Sequence, residues 1–171
     1  MNDYKLLVVE DESSLREVIV EALEGSAHEI QTATNGQEAL QLLAKGTYDA
    51  ILSDIGMPVM DGLTFLAEVR NRGIETPLVF LTAYGDKANI QKAIQLGAND
   101  FLDKPFTSAT LCQTVVNTMQ LGRQLREFDE LLALCMSNTN AAPDEIERMK
   151  LTRRMILALR TKTYAPPVKA S

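Results

Sequence analysis

Histidine and cysteine, which typically build zinc sites and many catalytic sites, are scarce in this chain of 171 residues. There is one histidine, His28, and two cysteines, Cys112 and Cys135, which are 23 positions apart. This inventory argues against a zinc site or a histidine-based catalytic triad, and it favours reduced, structural cysteines. No run of the form GxxxxGK(S/T) or GxGxxG is present to cradle a nucleotide, so a nucleotide-binding enzyme is not expected.

Long apolar runs are also missing. No stretch of about 18 consecutive apolar residues occurs, and the first residues, MNDYKLLVVEDES, carry charges where a secretory signal would be apolar. A cytoplasmic protein without a membrane partner is therefore expected. Hydrophobic residues still make up 46% of the chain, which is enough to build one core of ordinary domain size.

The charge is distributed unevenly. Residues 1–145 contain 10 lysines and arginines against 22 aspartates and glutamates, a net charge of −12. Residues 146–171 contain 7 against 1, a net charge of +6. The acidic part disfavours a nucleic-acid partner, and the basic end is only modestly charged.

Short apolar segments alternate with helical patterns. Strands are predicted at five places: 5–9, 28–33, 49–53, 77–82 and 99–103. The apolar stripe of the first helix includes Val18, and Ser14 with Glu17 resembles a capping box at its start, while Asn35 and Asp61 open later helices. Five such units predict a five-stranded parallel sheet with helices on both faces, because right-handed crossovers place them there.

Functional residues of such a sheet are expected where its strands end, since ligands bind at the carboxyl edge. Candidate side chains end or directly follow the first, third, fourth and fifth predicted strands: Glu10, Asp11, Asp54, Thr82 and Lys104. Neighbouring carboxylates repel one another unless cations compensate them. Lys104 is one such cation, and a set of oxygen ligands without histidine or cysteine suits Mg²⁺ or Mn²⁺ as the second.

Four motifs in this order and spacing are highly specific together: VVEDES (8–13), LSDIGMPVMDG (52–62), FLTA (80–83) and FLDKPF (101–106). On these motifs, the chain from about residue 3 to 122 resembles the receiver domain of bacterial two-component response regulators, and is similar to its single-domain chemotaxis members. The resemblance implies a flavodoxin-like α/β fold with strand order 2-1-3-4-5. It also implies that an aspartate takes a phosphoryl group from the phosphohistidine of a sensor histidine kinase or phosphotransfer protein.

The resemblance assigns roles at the proposed site. Asp54 matches the phosphoacceptor, and Lys104 matches the cation that faces it and, after transfer, the phosphoryl group. Asp11 matches the direct Mg²⁺ ligand and Glu10 its acidic neighbour, with Asp54 and the backbone carbonyl of Gly56 completing the metal set.

Further positions follow from the same resemblance. Thr82 matches the switch hydroxyl that bonds to the new phosphoryl oxygen, and Phe101 matches the aromatic that turns inward into the vacated space. Gly56 and Tyr84 lie where side chains in the family influence how water reaches the acyl phosphate, and slow dephosphorylation is expected from them. The bond before Pro105 is cis in the family, which would aim the preceding lysine inward.

Three functional hypotheses remain open. The first is a phosphorylation-driven switch that acts on an unknown downstream protein or through dimerisation. The second is a receiver-fold scaffold that signals without phosphate, and the third is a transcriptional regulator whose C-terminal helices bind DNA. A haloacid-dehalogenase-type phosphatase needs a second acidic residue two positions after the strand-end aspartate, where this chain has Gly56. No independent metabolic activity is therefore expected.

The chain after the receiver domain, assigned to residues 1–122, is predicted to be a helical extension over 123–162 with a flexible tail at 163–171. Its first part continues the fifth helix with a heptad-like seam: Leu121, Leu125, Phe128, Leu132 and Cys135. Residues 136–142 break this helix, and a second one begins at about 143, with Arg153 among its surface cations. The extension either folds back as a hairpin or forms a homodimer or docks a partner through residues 107–162. DNA binding is disfavoured because a helix-turn-helix unit needs more helices.

Overall fold

The computed structural model of the chain describes residues 3–83, 86–137 and 142–160. Five strands form one parallel sheet: β1 (Lys5–Val9), β2 (Glu29–Ala33), β3 (Ala50–Asp54), β4 (Leu78–Ala83) and β5 (Asp100–Lys104). Six helices connect and follow them: α1 (Ser13–Leu23), α2 (Gly36–Leu43), α3 (Gly62–Asn71), α4 (Lys87–Gln95), α5 (Ser108–Ser137) and α6 (Pro143–Arg160). The strand order is β2-β1-β3-β4-β5, so the predicted fold class is confirmed.

The sheet is covered on both faces because successive strand residues point to opposite sides. In β1, Leu7 and Val9 belong to an apolar cluster that includes side chains of α2, α3 and α4. Leu6 and Val8 belong to the second cluster, which includes side chains of α1 and α5. All four residues are fully buried, as continuous apolar strands of a parallel sheet require.

The strand register shows which strand ends lie together at the carboxyl edge of the sheet, called the functional edge below because the candidate site residues are predicted there. Val9 pairs with Ser53 across β1 and β3, and Ala83 pairs with Lys104 across β4 and β5. The carboxyl ends of these strands therefore lie side by side, and the residues that end them or follow them meet at one edge of the sheet.

The predicted helix starts are confirmed at two places and wrong at one. Asn35 and Asp61 cap α2 and α3, because their side chains accept hydrogen bonds from backbone N–H groups in the first turn. Helix α1 begins at Ser13 with Glu12 at the capping position and has no side-chain cap. Ser14 lies inside the first turn, where its hydroxyl donates to the Glu12 carboxylate at 2.7 Å, so it cannot form the predicted capping box.

Helix α5 is 30 residues long and extends past the receiver core, as the apolar pattern predicts. Near its middle, Gly122 lies against the backbone carbonyl of Asp49, at a distance that leaves no room for a side chain. One turn later, Arg126 Nη1 lies 2.8 Å from Oδ1 of Asp49, whose side chain is fully buried. These contacts lie at the amino-terminal edge of the sheet, opposite the functional edge.

Helix α6 packs back on α5, which is the hairpin alternative for the extension. Arg153, predicted as a surface cation, is instead half-buried and forms ion pairs with Asp129 of α5 and with Glu75 before β4. The predicted break over 136–142 begins later, because α5 includes Met136 and Ser137; residues 138–141 and the tail 163–171 lie outside the described residues. Among the described helices, none combines the length and hydrophobicity of a membrane span.

Candidate functional site

Three carboxylates converge at the carboxyl edge of the sheet. Glu10 and Asp11 follow β1 and Asp54 ends β3, and each offers an oxygen that lies within 4.8 Å of the others. Glu10 is 2% exposed, Asp54 is half-buried and Asp11 is exposed. The structure thus brings together the three acidic residues that the sequence places after separate strands.

Lys104, the last residue of β5, reaches into this acidic cluster. Its Nζ lies 2.6 Å from Asp54 Oδ1 and 3.1 Å from Glu10 Oε2. Burial on its own lowers the pKa of Lys104, but hydrogen bonds and charges from the two carboxylates outweigh burial and hold the pKa above its ordinary value. The ammonium is therefore a fixed positive charge beside Asp54. The following peptide bond, Lys104–Pro105, is cis, as the family resemblance implies.

The environment of Glu10 favours a further cation. Burial and the nearby charge of Asp54 raise the pKa of the Glu10 carboxyl, whereas Lys104 and the N–H of Glu12 oppose the rise. The ionised form of Glu10 is thus only partly compensated by this chain. The available donors are carboxylate oxygens, which fit Mg²⁺ or Mn²⁺ better than softer metals. Glu10, Asp11 and Asp54 are the residues that could hold such an ion.

Gly56 contacts Asp54 through its amide. The Gly56 N–H donates to Asp54 Oδ2 at 2.8 Å, so one carboxylate oxygen faces Lys104 and the other faces the backbone. The sequence assigned Gly56 a carbonyl contact to the metal and a role in dephosphorylation, and both remain predictions. The amide contact was missed, although an aspartate that accepts from the backbone two residues on is a common turn. Tyr84 lies outside the described residues.

The two predicted switch residues lie on the neighbouring strands. Thr82 is buried near the end of β4, and its hydroxyl donates to the Ala83 carbonyl at 3.3 Å. Phe101 is half-buried in β5, with its ring centroid 6.2 Å from that of Phe80. The structure places both side chains in the half of the sheet next to Asp54, and their switching role remains a prediction.

Comparison with known proteins gives the class of this fold and site. The family model of the response regulator receiver domain matches residues 6–116. The chain belongs to this family, whose members act in two-component signalling. The resemblance read from the four motifs is confirmed.

Individual relatives support the same assignment. The chemotaxis response regulator CheY4 of Vibrio cholerae is 34% identical with a TM-score of 0.64, over 68% of this chain and 99% of CheY4. The transcriptional regulatory protein DltR of Streptococcus agalactiae is 39% identical over 107 residues, which is 63% of this chain and 48% of DltR. The DNA-binding transcriptional regulator NtrC of Salmonella typhimurium is 38% identical over 71% of this chain but only 27% of NtrC. The chain thus spans about half the length, or less, of these curated relatives.

Proposed function

We propose that this receiver domain accepts a phosphoryl group on Asp54, from the phosphohistidine of a sensor histidine kinase or a phosphotransfer protein. The observation that carries the proposal is the 2.6 Å contact between Asp54 Oδ1 and Lys104 Nζ inside the acidic cluster. A carboxylate held beside a fixed cation, at the edge where ligands of parallel sheets bind, is suited to receive a phosphoryl group.

The transfer forms one bond and breaks another. An oxygen of the Asp54 carboxylate attacks phosphorus, the N–P bond of the phosphohistidine breaks, and the imidazole nitrogen keeps the electron pair. The product is an acyl phosphate on Asp54. Aspartate is a weak nucleophile, so the contribution of the protein is positional and electrostatic: the Gly56 N–H orients the carboxylate, and Lys104 offsets the negative charge of the transferring group.

A divalent cation completes this proposal. Glu10, Asp11 and Asp54, with the predicted carbonyl of Gly56, would hold Mg²⁺ or Mn²⁺. When bound, the ion supplies positive charge that neutralises phosphoryl oxygens. The partial compensation of buried Glu10 supports this assignment, because a second cation stabilises its ionised form.

The output of the proposed switch is a change at the β4 and β5 surface through Thr82 and Phe101. We infer that this change controls a downstream protein or dimerisation, in the cytoplasm and without an independent metabolic activity. A scaffold that ignores phosphate has no need for the complete set of Glu10, Asp11, Asp54, Thr82 and Lys104. DNA binding through the C-terminal helices is the less supported alternative, because a helix-turn-helix unit needs more helices than α5 and α6 supply.

Phosphorylation is tested on the purified full chain with a small-molecule phosphodonor and with beryllofluoride, each with and without Mg²⁺. We expect wild type to form one hydroxylamine-sensitive acyl phosphate and to bind beryllofluoride, both only with Mg²⁺. Asp54→Asn abolishes both signals, and Lys104→Ala keeps the fold but lowers the phosphorylation rate on the order of 100-fold. Asp61→Asn is the matched control, because it changes an exposed carboxylate in the same loop and retains a capping side chain. Absence of both signals in folded wild type would support the scaffold and contradict the proposal.

The lifetime of the acyl phosphate is a separate test. A Cβ built on Gly56 lies 3.7 Å from Asp54 Oδ2, so a side chain at this position begins in contact with the phosphoacceptor. With glycine, this side offers no polar group to hold an attacking water, and we expect slow decay. The decay of the purified phosphoprotein measures it, and a half-life of seconds contradicts this expectation.

A further inference from the structure

Arg16 lies in the first part of α1, directly after the loop that carries Glu10 and Asp11. Its guanidinium is half-buried and turns back toward this loop. Nη1 donates to the backbone carbonyl of Glu10 at 2.7 Å and approaches the carbonyl of Asp11 at 3.4 Å. One side chain thus contacts the backbone of both residues that supply carboxylates to the acidic cluster from β1.

These contacts act on the backbone and leave the carboxylates themselves available. A carbonyl fixed by a charged donor fixes the orientation of its peptide plane, and therefore the direction in which the neighbouring side chains leave the chain. The loop is also tied by the Glu10 N–H, which donates to the Ala33 carbonyl at 3.1 Å, and by the Glu12 N–H, which donates to Glu10 Oε1 at 3.3 Å. Arg16 adds a hydrogen bond from α1, so the turn is held both by the neighbouring strand and by the helix.

We propose that Arg16 is a positioning residue for the divalent cation, acting through the backbone of Glu10 and Asp11. The inference rests on the proposed metal site and adds to it a residue that no ligand pattern would include. Groups that orient metal ligands typically change metal affinity about 10-fold to 100-fold when they are removed. Because Arg16 contacts backbone carbonyls, its loss is expected at the lower end, about tenfold.

The sign of the effect separates positioning from simple electrostatics. Arg16 carries a positive charge beside the loop that supplies two of the three carboxylates, and through space such a charge repels a metal ion. If Arg16 acted by charge alone, its neutralisation would tighten Mg²⁺ binding. If it holds the loop, its neutralisation weakens binding. Lysine keeps the charge but lacks the planar fork of donors, so Arg16→Lys should weaken binding as well.

The experiment titrates full-length protein with Mg²⁺ by calorimetry and with Mn²⁺ by electron paramagnetic resonance. We expect Arg16→Gln and Arg16→Lys to raise the Kd for either ion about tenfold. Arg72→Gln is the matched control, since it removes one positive charge from an exposed position at the end of α3 and should leave the Kd unchanged. Phosphorylation with a small-molecule donor gives the second readout: the rates of the Arg16 variants recover at saturating Mg²⁺, because the phosphoacceptor and Lys104 are intact.

The outcomes distinguish this inference from the proposed function. If wild type binds neither ion and is not phosphorylated, the proposed function fails. If wild type binds and is phosphorylated while Arg16→Gln has an equal or lower Kd, the positioning role is wrong and the proposed function stands. Circular dichroism without metal checks that each variant is folded. Should Arg16→Gln not fold, Arg16→Lys decides the question by the same titration.

Discussion

The buried carboxylates of Glu10 and Asp49 each lie next to a cation. Lys104 pairs with Glu10 and Asp54 at one edge of the sheet, and Arg126 pairs with Asp49 at the other. Each pairing reduces the cost of burying a carboxylate, which is otherwise several kcal/mol. Removal of either cation therefore affects a buried anion as well as the contact itself.

Asp100, at the start of β5, has a different balance. Burial raises the pKa of its carboxyl above the ordinary 3.8, and the hydrogen bond from the Phe101 N–H only partly opposes this. At pH values between 3.8, the ordinary pKa that applies to the unfolded state, and the raised pKa of the folded state, the folded state holds more protons than the unfolded state. The free energy of unfolding therefore falls as the pH rises through this range. The cost of the charge then persists at neutral pH.

The replacement Asp100→Asn is expected to stabilise the protein at neutral pH, because it removes the half-buried charge and keeps an oxygen that can accept the hydrogen bond from the Phe101 N–H. Its advantage should shrink as the pH falls from the raised pKa of the folded state toward the ordinary value of 3.8, and it should be absent well below 3.8, where the wild-type carboxyl is protonated in both states. Thermal unfolding at a series of pH values measures this. An advantage that does not depend on pH would show that ionisation of Asp100 is not the cause.

Val59, in the loop between β3 and α3, has a backbone φ of +67° although it is neither glycine nor asparagine. This left-handed conformation costs a β-branched residue roughly 1–2 kcal/mol, and the side chain is 84% exposed, so packing does not repay the cost. Val59→Asn should raise the free energy of unfolding by about 1 kcal/mol, because asparagine tolerates this region.

Urea denaturation compares the two proteins. Val18→Asn is the matched control: Val18 is 55% exposed but lies within α1, where asparagine brings no gain. Equal effects of the two substitutions would remove backbone strain as the explanation.

Much of the fold and site could be predicted at the residue level, where the physical signal is local. Strand positions follow from apolar runs, and the meeting of Glu10, Asp54 and Lys104 follows from the rule that parallel strands end together. Local pattern does not specify which side of a loop a backbone group faces, so the contact of Gly56 with Asp54 was missed. Val18 fits the apolar stripe of α1 by spacing and is nevertheless 55% exposed, because spacing alone does not show how far the neighbouring elements cover a helix.

At the scale of elements, α5 is positioned by a close approach to the chain before β3. A Cβ on Gly122 would lie 1.7 Å from the Asp49 carbonyl oxygen, which is closer than atoms can come. The glycine therefore lets the helix lie directly on this backbone, and Arg126 then reaches the buried Asp49 carboxylate. A pattern of apolar residues carries no sign of such a contact, and the predicted domain boundary at residue 122 falls on it.

Replacement of Gly122 by alanine should destabilise the protein by about 1–3 kcal/mol, because α5 must move away from the strand to admit the methyl group. Gly46→Ala is the control, since a Cβ there meets nothing within 4 Å. Chemical denaturation gives both values. A Gly122→Ala protein as stable as Gly46→Ala would show that α5 adjusts without loss.

At the scale of the whole molecule, the extension and the receiver share buried contacts. Truncation after residue 122 removes Arg126 and leaves the fully buried Asp49 carboxylate without its ion partner, whereas truncation after residue 137 retains it. We expect the free energy of unfolding of the shorter protein to be about 1–3 kcal/mol lower than that of the longer one. The loss is smaller than for a completely buried ion pair, because the Arg126 side chain is 36% exposed. Urea unfolding of both truncations tests this, and equal stability would contradict a shared folding unit.

The homodimer alternative for residues 107–162 belongs to this scale. Apolar side chains remain exposed on the extension: Leu131, Leu134, Met136, Leu151 and Met155. If they pair with a second copy in response to the signal, light scattering of the full chain should give a larger mass with beryllofluoride and Mg²⁺ than without. A constant mass would assign these side chains another role.

Strand β3 connects the charged groups at the two edges of the sheet. Asp49 stands immediately before it and Asp54 is its last residue, so roughly 17 Å of hydrogen-bonded backbone separates the helical hairpin from the phosphoacceptor. Linkage makes any influence along this path reciprocal. If packing of the α5–α6 hairpin on the receiver changes the affinity for beryllofluoride by some factor, beryllofluoride must change the packing equilibrium of the hairpin by the same factor. A measurement at one edge of the sheet therefore gives the response at the other.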